Sequence, residues 1–231
     1  LAQKYSISRE EQDQVAFESH SKAIAAIDSG RFKDEIIPVP VEKRKGQISM
    51  VEIDEHPRRD ITLDGLKALK PVFKKDGTVT AANSSGINDG AAALVITSAD
   101  KASELGAKPM ARLVANAIAG VEPHLMGYGP VPAVTKLLKK TGMKLADIDL
   151  IECNEAFAAQ YLSCEKGLGL DRKKVNVNGS GIALGHPVGC TGARIIVSLI
   201  NELKKRDKKW GIATLCVGGG MGAAVLIENI M

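Results

Sequence analysis

The sequence predicts an α/β fold in which helices flank a mixed five-stranded sheet. From residue 110 onward, apolar runs of strand length alternate with longer amphipathic segments, in the order βαβαβαββ. Glycine is abundant, with 23 residues, and aromatic residues make up only 3% of the chain, which suits closely packed α/β layers. With 45% hydrophobic and 25% charged residues, the composition is typical of a globular protein.

The N-terminal part opens on a helix and continues irregularly. Ser8 and Glu11 fit a capping box, and the helix that they begin is predicted to end just before Gly30, which allows a left-handed stop. Residues 31–81 contain scattered prolines and many charges, with a short strand at 48–53 as the clearest element. This part is therefore predicted to be a mixed, exposed subdomain.

The remaining elements follow in order. After a loop of small residues at 80–90, the apolar run 91–97 has the length of a strand. Further on, a helix has Pro132 in its first turn and Gly142 past its end. The other predicted elements are strands at 111–117, 148–153, 175–178, 211–216 and 223–228, and helices at 155–166, closed by Gly167, and at 189–205.

Composition and motifs disfavour several classes of function. The net charge of +4 comes with few aromatic residues, so no nucleic-acid partner is expected. No apolar run reaches the ~18–20 residues of a membrane span. The four cysteines form no C-x-x-C pair, so no bound metal is expected and reduced thiols in the cytoplasm are favoured. The chain also lacks the signatures of dinucleotide, P-loop and serine-hydrolase sites.

Three unusual segments lie where predicted strands end, at residues 154–158, 185–189 and 216–222. Each combines glycine or alanine with a side chain that can exchange protons or donate hydrogen bonds. Ligands of open α/β sheets gather at the carboxyl ends of the strands. We therefore expect these three segments to converge on one site.

His186 and Cys216 are the candidate acid/base groups. Gly185 and Gly189 leave the His186 imidazole accessible, so it can take a proton from a thiol or donate a hydrogen bond to an oxyanion. Cys216 enters a run of glycines, whose N–H groups can bind an anion. A basic neighbour would lower the pKa of its thiol and suit it to proton transfer.

Asn154 and Glu155 allow two interpretations. Asn154 is either a helix N-cap or an amide that orients a water or the imidazole. Glu155 is either a base or a first-turn partner of the helix dipole. The remaining cysteines are expected to be small packing residues: Cys153, Cys164 and Cys190.

Four motifs together resemble those of the thiolases. They are Asn154-Glu155-Ala156-Phe157-Ala158-Ala159, Gly185-His186-Pro187 with Gly189 and Gly192, Cys216 with Gly218, Gly219, Gly220 and Gly222, and the loop at 83–91. The resemblance runs over the whole chain and is strongest to the biosynthetic type that makes acetoacetyl-CoA. It implies a thiolase-like fold of two duplicated five-stranded halves with an inserted loop domain that holds CoA.

In that fold, residues 1–87 would be part of the CoA-binding loop domain. Residues 88–108 would return the last strand to the N-terminal half, and residues 109–231 would form the C-terminal thiolase domain. The alternating pattern read from the residues themselves agrees with this division of the C-terminal part.

The resemblance also implies a two-step acetyl transfer. His186 would activate a cysteine nucleophile and bind the thioester oxygen, with a water held by Asn154. Cys216 would move the α-proton, and the Gly218 N–H would help to hold the second oxyanion. The residues implied in binding the CoA thioester are Ser85, Arg58, Ala81, Phe73 and Phe157.

The implied substrates are acetyl-CoA, acetoacetyl-CoA and CoA, with no further cofactor, and the implied assembly is a homodimer or homotetramer of complete chains. The family's nucleophilic cysteine would lie upstream of Leu1, so this chain by itself is predicted to be inactive. A degradative 3-ketoacyl-CoA thiolase is the alternative enzyme. A non-catalytic CoA-binding or assembly module is the alternative of another class.

Overall fold

The computed structural model describes the backbone of residues 1–231 and every side chain except that of Lys45. The helices are α1 (Arg9–Asp28), α2 (Leu63–Lys67), α3 (Ala99–Glu104), α4 (Pro130–Thr141), α5 (Ala158–Leu168), α6 (Gly181–Leu184) and α7 (Thr191–Lys205). The strands are β1 (Val39–Glu42), β2 (Ile48–Val51), β3 (Ala111–Gly120), β4 (Leu150–Cys153), β5 (Trp210–Val217) and β6 (Met221–Asn229). Short 3₁₀ helices span Arg44–Gly46, Pro123–Tyr128 and Leu145–Asp147.

The main sheet has the strand order β3-β6-β5-β4. Strands β4 and β5 are parallel, whereas β6 runs antiparallel to both of its neighbours. Consecutive residues of a strand point to opposite faces of the sheet, and the core divides accordingly. Ile212 and Leu226 join the cluster with α4 and α5, while Ala213 and Ile227 join the cluster with α7. The mixed α/β fold predicted from the sequence is confirmed as a sheet between helical layers.

The prediction of a fifth strand at 175–178 is wrong in its extent. Val175 forms a parallel bridge to Ile151 beside β4, but Asn176 has a φ of 47°, in the left-handed region. The Asn176 side chain continues the pairing in place of a backbone: its Oδ1 accepts from the Cys153 N–H at 2.9 Å, and its Nδ2 donates to the Cys153 carbonyl at 2.8 Å. A side-chain amide therefore replaces one rung of the predicted strand.

Local signals at helix ends are confirmed for α1 and α4 and wrong for α5. Ser8 and Glu11 form the predicted capping box of α1, and Gly142 ends α4 with a φ of 70°. Helix α5 begins at Ala158 rather than at 155 and ends at Leu168, where Gly169 caps it with a φ of 67°. Gly167 lies inside α5. A Cβ at this position would come 2.6 Å from the Tyr128 hydroxyl, so only glycine fits there. The glycine serves close packing, which a sequence pattern does not reveal.

The predicted strand at 91–97 is also wrong for the described residues. This segment lies in no ladder, and Val95 and Ile96 are 98% and 74% exposed. An extended run becomes a strand only when a neighbour accepts and donates its backbone hydrogen bonds. The hairpin of β1 and β2 does pair, which confirms the short strand predicted at 48–53. Within the described part of the chain, no helix is both long and apolar enough to cross a membrane.

Candidate active site

The three predicted segments meet at the carboxyl ends of β4 and β5. The Asn154 N–H, one residue past β4, donates to the Thr214 carbonyl of β5 at 3.0 Å, and Cys216 follows two residues later on the same strand. The segment that precedes α7 brings His186 against Asn154. Contact between the segments at 154–158 and 185–189 is thus confirmed. The parallel pairing of β4 with β5 brings the segment at 216–222 to the same edge of the sheet.

Asn154 is completely buried, and its amide lies against the His186 ring. Its Nδ2 is 3.4 Å from both His186 Nδ1 and His186 Nε2. Its Oδ1 is buried without a protein partner among the described residues. A Cβ at Gly181 would come 2.7 Å from this Oδ1, so the glycine leaves room at the oxygen. Because α5 begins only at Ala158, the N-cap interpretation of Asn154 is wrong.

His186 is anchored by its backbone and by its ring. Its N–H donates to Asn88 Oδ1 at 3.3 Å, and its Nδ1 is 2.8 Å from Thr191 Oγ1. Burial, with a smaller contribution from the Arg194 charge, lowers the pKa of His186 below its ordinary value. The imidazole is therefore neutral at neutral pH and can accept a proton.

Gly185 explains why the His186 backbone comes so close to Asn88. Its φ is 92°, which favours glycine, and a Cβ there would come 2.6 Å from Asn88 Oδ1. Gly185, which was predicted to leave the His186 imidazole accessible, therefore has a second role: its missing side chain leaves room for the Asn88 side chain.

Cys216 lies near the end of β5, opposite Gly222 of β6, and is 7% exposed. Burial, with a smaller contribution from Cys164, raises the pKa of Cys216 to about 11. The sequence-based expectation of a lowered pKa is therefore wrong for the described residues: the resting group is a neutral thiol, which donates a proton before it can accept one. No hydrogen bond joins Cys216 to His186 among the side chains that are described.

The turn after β5 is shaped by glycine. Gly219 and Gly220 have φ values of 88° and 100°, in the region that other residues rarely adopt. Around Gly218, a Cβ would meet no atom within 4 Å, so the Gly218 backbone borders open space.

The residues predicted to bind the CoA thioester lie mostly together. The Ser85 N–H donates to the Ala156 carbonyl at 3.0 Å, and Ser84 forms a β-bridge with Phe157. Phe157 packs edge-on against Phe73, with ring centroids 6.0 Å apart, and Phe73 is 71% exposed. Ala81 is also exposed. These four predicted contacts line one stretch of surface beside the start of α5: Ser85, Ala81, Phe73 and Phe157.

Arg58 lies next to that surface but belongs to a different cluster. Its backbone N–H donates to His20 Nδ1 at 3.0 Å, and its side chain is exposed. The neighbouring His56 reaches Ala183 through a contact of 2.8 Å between Nδ1 and the carbonyl oxygen. A Cβ at Gly86 would come 2.5 Å from His56 Nε2, so this cluster borders the loop that carries Ser85.

Glu155 is a structural group. Its carboxylate accepts from Ser19 Oγ at 2.6 Å and from Asn176 Nδ2 at 2.9 Å, and it is 3% exposed. Burial raises its pKa, and these two hydrogen bonds oppose the rise. Its partners link α1 to the sheet and occupy the carboxylate, so neither the base nor the helix-dipole interpretation describes it.

The other cysteines differ in their surroundings. Cys153 and Cys164 are completely buried, as predicted, and the Cys164 thiol donates to the Gly127 carbonyl at 3.3 Å. Cys190 is half-buried and borders a cleft of about 370 Å³ between residues 88–92 and 187–190. Within the described residues, no three His, Cys, Asp or Glu side chains are grouped to hold a metal ion.

Sequence reasoning did not single out Thr191 or Asn88, although both contact His186. Thr191 is a polar residue five positions after a candidate catalytic histidine, at the first residue of a helix. That spacing is the only local signal for it. Asn88 is 98 positions away in sequence, so no local pattern could assign it to His186.

Comparison with known proteins agrees with this geometry. The family model "Thiolase, N-terminal domain" matches residues 1–100, and "Thiolase, C-terminal domain" matches residues 107–229. The chain belongs to the thiolase family. The acetyl-CoA acetyltransferase of Allochromatium vinosum is 55% identical over 230 residues, which cover 100% of this chain and 58% of that protein.

Solved thiolase structures also match the whole chain. The acetyl-CoA acetyltransferase of Bacillus anthracis superposes with a TM-score of 0.97 at 57% identity, over 99% of this chain and 58% of that one. Human mitochondrial 3-ketoacyl-CoA thiolase in complex with CoA superposes with a TM-score of 0.91 at 44% identity, over 100% of this chain and 57% of that one. This thiolase chain thus spans somewhat more than half the length of these relatives.

Proposed function

We propose that this chain supplies the acid/base and oxyanion-binding groups of a thiolase that condenses two acetyl-CoA into acetoacetyl-CoA and CoA, or runs the reverse thiolysis. The observation that carries the proposal is the contact between the buried Asn154 amide and the half-buried His186 ring, at the same sheet edge as the Cys216 thiol. The lowered pKa of His186 favours its neutral form. The similarity to acetyl-CoA acetyltransferases supports acetyl-CoA as the substrate. The substrates themselves are CoA thioesters, and no further cofactor takes part.

In the first half-reaction, His186 accepts the proton of a cysteine nucleophile, whose sulfur attacks the thioester carbonyl. The C–S bond to CoA breaks, and the departing CoA thiolate takes the proton of Cys216. A resting thiol with a pKa of about 11 is suited to this donation. The half-reaction ends with an acyl cysteine, an imidazolium and a Cys216 thiolate, and the two opposite charges stabilise each other.

In the second half-reaction, the Cys216 thiolate removes an α-proton from a second acetyl-CoA. The resulting enolate carries its charge on the thioester oxygen, which His186 and a water held by Asn154 Oδ1 would stabilise. Its carbon attacks the acyl cysteine, the nucleophile leaves as a thiolate, and the imidazolium returns the proton. The N–H of Gly218 would hold the oxyanion of the tetrahedral intermediate. Every proton that is taken is returned, so the cycle closes.

We place the pantetheine arm along Ser85, Ala81, Phe73 and Phe157, and the nucleotide end toward Arg58. Exposed aromatic rings and small residues can pack against the arm, and a guanidinium pairs well with phosphate. A degradative thiolase for longer 3-ketoacyl-CoA is the second candidate, supported by the human 3-ketoacyl-CoA thiolase match. Relative rates on acetoacetyl-CoA and 3-ketodecanoyl-CoA distinguish the two.

The nucleophile itself has no candidate among the four cysteines of the chain. Cys153 and Cys164 are completely buried, Cys216 has the proposed proton-transfer role, and Cys190 has no hydrogen bond to His186 or Asn154 among the described side chains and lines the cleft between residues 88–92 and 187–190. We therefore propose that these 231 residues, expressed alone, catalyse neither condensation nor thiolysis.

Thiolysis tests both statements, because the enolate absorbance of acetoacetyl-CoA disappears as the reaction proceeds. The 231 residues are assayed alone and joined to the remainder of the Allochromatium vinosum relative, with His186→Gln as the matched inactive control. We expect turnover only in the joined protein. Turnover by the chain alone would contradict the nucleophile proposal. A folded joined protein that binds CoA without turnover would favour the non-catalytic CoA-binding module.

A further inference from the structure

We propose that Thr191 is a positioning residue that holds His186 as the Nδ1–H tautomer, so that Nε2 is the unprotonated nitrogen that acts as the base. This inference rests on the proposed function, because it assigns a task to the imidazole of that site. It concerns a contact that neither the sequence motifs nor the acid/base roles above require.

The hydroxyl of Thr191 lies between two groups. Its Oγ1 is 3.0 Å from the Pro187 carbonyl oxygen and 2.8 Å from His186 Nδ1, and the residue is completely buried. A hydroxyl has one proton to donate and lone pairs to accept. If the proton goes to Pro187, the remaining contact at 2.8 Å is satisfied only by an N–H on His186 Nδ1.

Donation to Pro187 follows a pattern repeated elsewhere in the chain. Helical threonines and serines here donate to the carbonyl four residues earlier, even though that carbonyl also accepts a backbone N–H. Thr135 donates to Val131 at 2.8 Å, and Thr141 donates to Leu137 at 3.0 Å. Thr191 and Pro187 have the same separation.

The reaction cycle favours the same arrangement. When His186 takes a proton it becomes an imidazolium with N–H groups on both nitrogens. A Thr191 hydroxyl that already accepts from Nδ1 needs no rearrangement at that moment, whereas one that donated to Nδ1 would have to turn around. The same hydrogen bond therefore serves both charge states, as preorganised catalytic groups do.

The pair of variants Thr191→Val and Thr191→Ser tests this in the protein joined to the remainder of the Allochromatium vinosum relative. Valine keeps the shape and removes the hydroxyl, and serine keeps the hydroxyl. Histidine ¹⁵N NMR reports which ring nitrogen carries the proton, with the His186 signals assigned by their loss in His186→Gln. Thr135→Val is the matched control, because it removes the same type of hydroxyl bond far from His186.

We expect wild type, Thr191→Ser and Thr135→Val to show a protonated Nδ1, and Thr191→Val to lose that preference. We expect kcat for thiolysis to fall about tenfold to a hundredfold in Thr191→Val with KM nearly unchanged, since a misplaced base loses part of its contribution. An unprotonated His186 Nδ1 in the wild-type protein would by itself overturn the proposal. A slower Thr191→Val with an unchanged tautomer would overturn it as well.

Failure of the proposed function would look different. In that case the tautomer pattern would follow the variants as stated, while neither condensation nor thiolysis occurred in the wild type. If Thr191→Val does not fold, circular dichroism identifies this, and the tautomer of wild type and of Thr191→Ser still decides the question.

Discussion

The two reactive side chains of the site are held in opposite ways. His186 is fixed by Asn88 at its backbone, by Thr191 at one ring nitrogen and by Asn154 along its ring. Cys216 is fixed only by the β-ladder that carries it, and its thiol lies in an environment whose burial favours the neutral form. These contacts suit His186 to its proposed role as a base, whereas Cys216 must first give up its proton before it can take its proposed role.

The difference follows from the elements that carry them. His186 belongs to a loop, so its orientation requires specific hydrogen bonds from α7, from the 83–91 loop and from the segment after β4. Cys216 belongs to a central strand between β4 and β6, so the backbone alone positions it. A loop residue needs side-chain partners to be oriented, and a strand residue needs none.

The largest expected effect separates the two roles directly. We expect His186→Gln in the joined protein to slow acyl transfer by about a thousandfold, and Cys216→Ser to slow α-proton exchange to a similar degree, because each removes a proposed proton-transfer group. Deuterium uptake by acetyl-CoA in heavy water reports exchange, and acyl-enzyme formation reports transfer. Exchange that survives in Cys216→Ser but not in His186→Gln would reverse the assignment.

A somewhat smaller effect is expected at Asn154, which holds the ring and presents Oδ1 to the site. Asn154→Ala removes the amide and should lower kcat by about a hundredfold, in the range found for one oxyanion donor. Asn154→Asp keeps the size but replaces the donor Nδ2 with an oxygen. An Asp variant as active as wild type would show that the contact with His186 does not require a donor.

The rate of alkylation of Cys216 reports the pKa of its thiol, which is the property that distinguishes Cys216 from His186 in this comparison. Thiolates react and thiols do not, so a raised pKa makes alkylation slow at neutral pH and accelerates it as the pH rises toward 11. We expect reaction at neutral pH to be about a hundred times slower than for an ordinary thiol, because the thiolate fraction falls tenfold for each pKa unit. Iodoacetamide labelling across pH, with Cys216→Ser to subtract the other cysteines, gives the profile. A plateau reached below pH 9 would contradict the burial argument.

The smallest expected effect concerns the protonation of Glu152, two residues before Asn154 in the sequence. Glu152 on β4 is buried, and burial raises its pKa to about 8, with Arg194 opposing the rise. A carboxyl whose pKa is raised on folding contributes stability that is complete below its unfolded pKa of 4.5 and is lost as the pH rises toward 8. Glu152→Gln imitates the protonated form at every pH.

We therefore expect Glu152→Gln to melt a few degrees above wild type at pH 8 and together with it near pH 4. Differential scanning calorimetry of the two proteins over this range measures the difference. A difference in melting temperature that stays constant across this pH range would show that folding does not change the pKa of Glu152.

Much of this site follows from patterns within a few residues along the chain. The capping box of Ser8 and Glu11, the glycine stop of α4 and the alternation of strands and helices depend on neighbours in sequence. Asn154 and Cys216 also lie at strand ends, as the sequence predicts. Short-range hydrogen bonds and periodic burial are encoded locally, and the sequence by itself determined these features. The strand-end placement of His186 is wrong, because the short helix α6 precedes it in place of a strand.

Tertiary neighbours decided the rest. The predicted strand at 175–178 is interrupted because the Asn176 side-chain amide hydrogen-bonds the Cys153 backbone. Glu155 links α1 to the sheet because Ser19 and Asn176 donate hydrogen bonds to its carboxylate. The pKa of Cys216 is raised because burial disfavours the thiolate and the neighbouring Cys164 acts in the same direction. Solvation and pairing depend on atoms that come from distant parts of the chain, and only the folded arrangement brings those atoms together.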